Sequence, residues 1–475
     1  MSIAEAAPET DTDTGRLSRR AWSTLLVLCG ALFLDALDVS MMGVALPSIR
    51  TDLAMSTSSL QWVVSGYVLG YGGLLLLGGR VADLLGRKRA LIGALVVFFL
   101  ASLLGGLTSD PTLLVATRFI KGAAAAFTAP ASLSLITTTF TEGPARNKAL
   151  SVYTACGASG FSFGLVLGGL MTEIGWRWTF LLPVPFALAI LLLAPRVLRP
   201  DPPQTRARGA FDIPGAVTIT AGMLLLVRTV VRAPDVGWSS GETIVSFAAA
   251  AALLSLFVAI EHRTRQPLVR LGILRSGTLV RANLGGMAMF GGYAAFQFVV
   301  TLFLQSELGW SALHTALAFL PAGLLVAFGS PRVGGLVDRF GTERLIAVGF
   351  ALFVAGYALF LRVGHSPTYM TDIFPTILLL GMGFALTFPS LNMQATSGVA
   401  DHEQGLASGL VSTSIQVGGA IVLAISSAIV ASGAGGDFLD AIQPALAVIV
   451  GVSALGLVAT LSGLARSREA VPATA

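Results

Sequence analysis

Charge is what this chain most lacks: Asp, Glu, Lys and Arg together make up only 12% of its 475 residues. A soluble protein of this length needs about twice that share to cover its surface, so a soluble globular fold is excluded. Cysteine and histidine are almost as scarce. Cys29 and Cys156 each lie inside an apolar run, which excludes a disulfide framework or a cysteine-based zinc site and leaves both as small core residues. The histidines His262, His314, His365 and His402 show no ligand spacing, and no HExxH helix occurs, so no metal is expected. A phosphate-cradling GxxxxGKS/T loop is missing too, as is any polar stretch long enough for a nucleotide-binding domain. Direct coupling to ATP is therefore excluded, and no cofactor is expected.

What is present is hydrophobic. Such residues make up 54% of the chain, and apolar runs near 20 residues recur from residue 22 to about residue 465, the length that crosses a hydrocarbon core. The first 21 residues are polar, and no small-residue cleavage site follows the first apolar run, so that run is a permanent helix and not a signal peptide. A net charge of +5 would suit nucleic acid, but the basic residues alternate between loops: 23 fall on one side, with the N-terminus, and 4 on the other. Such a bias places both termini in the cytoplasm and requires an even number of spans. Fourteen fit.

Two segments are written twice. GRVADLLGRKR at 79 to 89 returns as GGLVDRFGTER at 334 to 344, and GAAAAFTAPASL at 122 to 133 aligns with GMGFALTFPSLN at 381 to 392. Matching halves in the same orientation are parallel repeats. The expected plan is a cytoplasmic tail (1–21), a six-helix bundle (22–195), a linker (196–212), an inserted helix pair (213–261), a second linker (262–279), a second six-helix bundle (280–465) and a short tail (466–475).

The loop after the second span resembles motif A of the major facilitator superfamily, and the fourteen-span layout resembles its drug:proton antiporter branch. LDALDVSMMGVALP at 34 to 47, LQWVVSGYVLGY at 60 to 71, RFIKG at 118 to 122, GFSFGLVLGG at 160 to 169 and WRWTF at 176 to 180 extend the resemblance over nearly the whole chain. The resemblance implies an all-α fold of two pseudo-symmetric six-helix bundles, here with an inserted pair, that rock about a central cavity. It also implies a bacterial cytoplasmic-membrane transporter, expected as a monomer, that exchanges protons for a small amphipathic compound without ATP, nucleic acid or cofactor. A proton symporter or facilitator for a metabolite is the alternative. An intramembrane enzyme is disfavoured, because no nucleophile or metal site matches the aspartates in depth.

Ionisable residues within spans mark function. Asp35 and Asp38 are three apart in the first span, and Arg118 and Lys121 three apart in the fourth, so each pair shares a helix face. Counted along their helices the four lie at similar depth and meet if the helices are neighbours, an acid site poised between desolvation and cations. They are the expected proton-coupling group, with Asp38 at the motif's acidic position and Asp35 an addition. The family has glutamine where Lys121 stands, which opens the site to neutral or anionic amphiphiles. Arg228, near the outer end of span seven, is expected to snorkel to the interface.

Motif A implies a cytoplasmic gate of Gly79, Asp83, Gly86, Arg87 and Arg89, with Asp338 and Arg339 in the second copy. Gly160, Gly164, Gly168 and Gly169 form a motif C-like stripe for close helix packing, although Leu165 replaces that motif's proline. Trp62, Tyr67, Tyr71, Tyr153, Phe296, Gln297, Phe388 and Asn392 are candidates for the lining of the substrate cavity.

Overall fold

Helix starts are set by side chains. In a computed structural model, which describes residues 18–140, 144–201, 212–264, 271–397, 399, 404–432 and 438–469, seven helices open with a serine or aspartate accepting a backbone N–H three residues on. These caps are Ser18, Ser56, Asp110, Asp212, Ser240, Ser276 and Ser311, each worth about 1 kcal/mol against alanine.

All regular structure among the described residues is helical. The first half comprises α1 (Arg19–Asp52), α2 (Thr57–Leu85), α3 (Arg87–Leu107), α4 (Pro111–Thr139), α5 (Pro144–Ile174) and α6 (Trp178–Val197), the last interrupted at Leu182 before Pro183. An inserted pair follows, α7 (Ile213–Val236) and α8 (Gly241–Arg263). The second half comprises α9 (Gly277–Glu307), α10 (Ala312–Phe340), α11 (Thr342–Phe360), α12 (Tyr369–Thr396), α13 (Gln404–Ser432) and α14 (Phe438–Glu469). Twelve helices among the described residues are long and apolar enough to cross a membrane. The two expected spans beyond those twelve are occupied by α2, of 29 residues, and α7, of 24. Much of the expected linkers and tails, including Arg16, Arg206, Arg208, Arg265 and Arg270, lies outside the described residues.

The duplicated segments are not the loops expected from the sequence. GRVADLL continues α2, only Gly86 separates it from α3, and likewise only Gly341 separates α10 from α11. Both glycines sit at positive φ, +104° and +81°, a region in which an L side chain is strained.

Each pairing within the first half recurs in the second. In the first, α1 packs on α5 and α6, α4 on α2, and α3 on α4 and α6; in the second, α9 packs on α13 and α14, α12 on α10, and α11 on α12 and α14. The halves join along two equivalent seams, α2 with α13 and α5 with α10. The inserted α7 lies across the first of these, with Leu224 against Gly73 and Val227 and Val230 clustered with Val68, Leu69, Val417 and Ala420. α8 packs chiefly on α7 and leaves Ile244, Val245 and Leu256 exposed. Lipid tails are as apolar as these side chains, so close packing of small residues holds such bundles together.

Candidate functional site

The sequence places four charges where helices must approach closely, and glycine makes the approach possible. A Cβ on Gly122 of α4 would stand 2.0 Å from the Tyr67 carbonyl oxygen of α2. At that crossing Arg118 reaches across α2 and donates from Nε to the Val63 carbonyl at 2.9 Å. Its guanidinium also donates to Asp38 Oδ2, and the Lys121 ammonium donates to Asp38 Oδ1. One carboxylate on α1 is thus held by two cations on α4.

Aromatic rings close the cluster. The Arg118 guanidinium lies 4.7 Å from the centre of the Tyr67 ring, and Lys121 Nζ sits between Phe98 and Phe180, at 4.8 and 4.9 Å from their centres. Asp38, Arg118 and Lys121 are each at most 1% exposed. At 1.5 Å per residue Asp38 is about 21 Å along α1 from Asp52 and roughly 28 Å from Arg19, near the middle of the bundle. A lone charge at that depth costs about 3 kcal/mol, and an uncompensated partner costs more. The cations and the acid therefore stand or fall together.

Asp35, one turn away, is placed differently. Its Oδ2 is buried without a hydrogen-bond partner among the described residues. Lys121 and Asp38 act on it electrostatically, and it in turn acts on the hydroxyls of Tyr67, Tyr71 and Tyr153. The four expected residues thus do meet, and within the group Asp38 is fully bonded while Asp35 is not. Phe98 and Phe180 were not legible in the sequence, since nothing there shows which rings face a lysine across two helices. Arg228 is exposed, as expected of a side chain reaching for the interface.

At the Arg-rich end the motif A segment is tied to the end of α6. Asp201 accepts the Lys88 N–H at 3.0 Å and the Arg89 N–H at 3.3 Å, while Lys88 Nζ donates to the Pro195 and Leu198 carbonyls at 2.8 and 2.7 Å. Asp201 thereby caps α3, whose first N–H groups otherwise lack acceptors. It escaped the sequence analysis, although an isolated acid following RVLRP in a basic segment is a readable signal. The Arg89 side chain is exposed, and Arg87 is half-buried and engaged. The Asp83 side chain, expected at the gate, lies outside the described residues. Asp338 and Arg339 are exposed, with Arg339 over its neighbour Phe340. The close approach expected of Gly79 belongs instead to Gly78: a Cβ there would lie 2.1 Å from the Ala126 carbonyl oxygen, whereas at Gly79 the nearest atom is Pro130 Cβ at 3.8 Å.

The α5 glycines divide their work. Cβ atoms on Gly160, Gly164 and Gly168 would fall within 2.6 to 2.7 Å of the Phe33 oxygen, the Leu37 oxygen and Met41 Cα, so the stripe packs on the stretch of α1 that carries Asp35 and Asp38. Gly169 faces the other half, 2.8 Å from Leu313 Cα of α10. Leu165, at the family's proline position, is fully buried, and α5 runs unbroken from Pro144 to Ile174.

The expected cavity residues separate into groups. Tyr67 covers Arg118, with Tyr71 6.1 Å from its ring and Tyr153 buried in the first-half core. Trp62 packs at the seam covered by α7. Phe296 does not line a cavity: it is 0% exposed, between Tyr357 and Phe360 in the core of the second half. Gln297 faces Gly43 of α1 and leaves Nε2 buried without a hydrogen-bond partner among the described residues. Phe388 stacks on Phe384, which meets Tyr293, which meets Phe161 of α5, a line of rings crossing between the halves. Asn392 donates to the Phe388 carbonyl of its own helix.

The comparisons with known proteins agree with this architecture. The chain is 38% identical over 431 residues to a cephamycin export protein of Amycolatopsis lactamdurans, covering 89% of this chain and 88% of that one. It is 38% identical over 414 residues to a puromycin resistance protein of Streptomyces alboniger, covering 86% and 81%. Among solved structures, a peptide transporter of the POT family superposes with a TM-score of 0.68 at 16% identity, covering 94% of this chain and 98% of that one, which shows the shared fold. With a duplicated six-helix plan, motif A at both helix junctions and the Major Facilitator Superfamily profile matching residues 28–423, this integral membrane protein belongs to that superfamily.

Proposed function

We propose that this exporter couples the outward movement of small amphipathic compounds to the inward movement of protons, in the cytoplasmic membrane of a bacterium with both its termini inside. The observation that carries the reading is the clamp of Asp38 by Arg118 and Lys121 at mid-depth, charge that a membrane helix does not keep without use. Two cations against one fully bonded acid favour neutral or anionic amphiphiles over cations. Two hydrogen bonds join the halves toward the end opposite the Arg-rich loops: Gln305 Nε2 donates to the Val44 carbonyl at 3.1 Å, and Glu173 accepts the Leu313 N–H at 3.2 Å. They support a resting form closed to the outside, with Gly86, Arg87, Arg89 and Asp83 at the inner gate and Asp338 and Arg339 in its second copy. The energy source is the proton gradient, without cofactor or catalysis, and a single chain suffices. Symport remains the second reading, favoured by the unbroken α5 that lacks the antiporter proline.

The test is a susceptibility panel of cephamycin, puromycin and lincomycin, compounds named by relatives, in an efflux-deficient host. Cells with the wild-type protein should tolerate at least one compound better than cells with Asp38→Asn. Equal tolerance throughout would refute the reading.

A further inference from the structure

Resting on that reading, we propose that Asp35 carries the exchanged proton, and that Asp38, at the family motif's acidic position, is a positioning residue whose bonds to Arg118 and Lys121 persist through the cycle. The two acids are one turn apart on α1 yet unequal. For Asp38 to accept a proton, it must do so against two cations bonded to its oxygens, in a site closed to water. Asp35 has an oxygen free to take a proton without breaking any bond to a described residue.

Charge balance makes both forms of Asp35 tolerable. Arg118 and Lys121 carry two positive charges and Asp38 one negative, so an ionised Asp35 brings the cluster to zero. With Asp35 protonated, one positive charge remains, spread over groups faced by the Tyr67, Phe98 and Phe180 rings. The ionised form gains charge balance, and the neutral form relieves an unpaired buried oxygen. A carboxyl so placed exchanges its proton, whereas one held by two cations is kept ionised. The step is the addition of H⁺ to the carboxylate and its later loss.

The titratable groups around Asp35 come from four helices. On its own helix is Asp38; α4 presents Lys121, α2 presents Tyr67 and Tyr71, and α5 presents Tyr153. Tyr153 lies on the side of Asp35 nearer the Arg-rich end, since it precedes Gly157 and Gly160, which pack on Leu32 and Phe33. Coupling to the conformational change runs through α5. Its glycines grip α1 beside both acids, and Gly169 rests on α10 of the other half, so a change in charge at Asp35 bears on a helix that touches the moving joint.

Infrared difference spectra of the purified full-length protein in liposomes, recorded as pH is lowered, test the assignment with the proton itself as probe. Wild type should show the high-frequency carbonyl band of a protonated carboxyl without a hydrogen-bond partner. Asp35→Asn should lose it, Asp38→Asn should keep it, and Asp35→Glu should restore it at a shifted frequency. A band that survives Asp35→Asn overturns the proposal. If Asp38→Asn does not fold, the two Asp35 variants decide alone.

Transport separates this assignment from the export reading. In proteoliposomes Asp35→Asn should lose accumulation of puromycin driven by a pH difference, yet keep puromycin–puromycin exchange. Accumulation at the wild-type rate in Asp35→Asn overturns the assignment and leaves export intact. If wild type accumulates neither puromycin, cephamycin nor lincomycin, export fails as a reading, while the infrared band still decides where the proton sits.

Discussion

The Asp201 carboxylate accepts the Lys88 amide at 3.0 Å, while the Lys88 ammonium reaches two carbonyls, at Pro195 and Leu198, just before Asp201. The start of α3 and the end of α6 are therefore one unit.

A first prediction follows at Gly86. There a Cβ would stand 2.2 Å from Asp201 Oδ2 at φ +104°, whereas Gly341 at φ +81° has nothing within 4 Å. Gly341→Ala should cost about 1 to 3 kcal/mol in backbone strain alone. Gly86→Ala should cost more and should also weaken the cap, itself worth about 1 kcal/mol. Thermal unfolding in detergent should rank the variants wild type, Gly341→Ala, Gly86→Ala.

Burial separates two arginine ion pairs that look alike on paper. Arg118→Ala leaves one oxygen of a fully buried carboxylate unpaired and should destabilise by about 3 to 5 kcal/mol. Arg177 also bonds an aspartate, Asp52, at 2.7 Å, but both side chains are substantially exposed, and Arg177→Ala should cost at most about 1 kcal/mol. Denaturation midpoints of the two variants in one detergent provide the comparison.

Packing at the α2–α4 crossing gives a third. Gly122→Ala drives a methyl group into the Tyr67 backbone and should destabilise by about 1 to 3 kcal/mol. Gly93→Ala, in the same bundle with nothing within 4 Å, should be neutral or gain about 0.5 to 1 kcal/mol from helix propensity. The yield of monodisperse protein after extraction should fall only for Gly122→Ala.

If the Lys121 ammonium serves mainly to neutralise Asp38, charge reduction in both partners should be milder than in one. Lys121→Gln should lower stability by about 3 kcal/mol, and Lys121→Gln combined with Asp38→Asn should recover part of that loss. A double variant no more stable than the single would show that Phe98 and Phe180, and not Asp38, set the value of the lysine.

The duplicated helices and the matched depth of Asp35, Asp38, Arg118 and Lys121 were legible, because apolar run length and residue spacing are local quantities; their meeting depended on α1 and α4 being neighbours, which spacing does not show. What was not legible depends on neighbours chosen by the fold. Phe296 reads like any aromatic in a membrane helix, and only the arrival of Tyr357 and Phe360 makes it core. Asp201 lies 113 residues from Lys88, and no periodicity links them. The unequal bonding of Asp35 and Asp38 is set by the reach of two cations on another helix, so equal spacing along α1 concealed it.

The inserted α7 makes a twofold machine lopsided. Lying across α2 and α13 with aliphatic side chains such as Leu224, Val227 and Val230, it must slide on at least one of them whenever the halves tilt, and such greasy surfaces slip with little penalty. Along α5 and α10 no described helix plays that part.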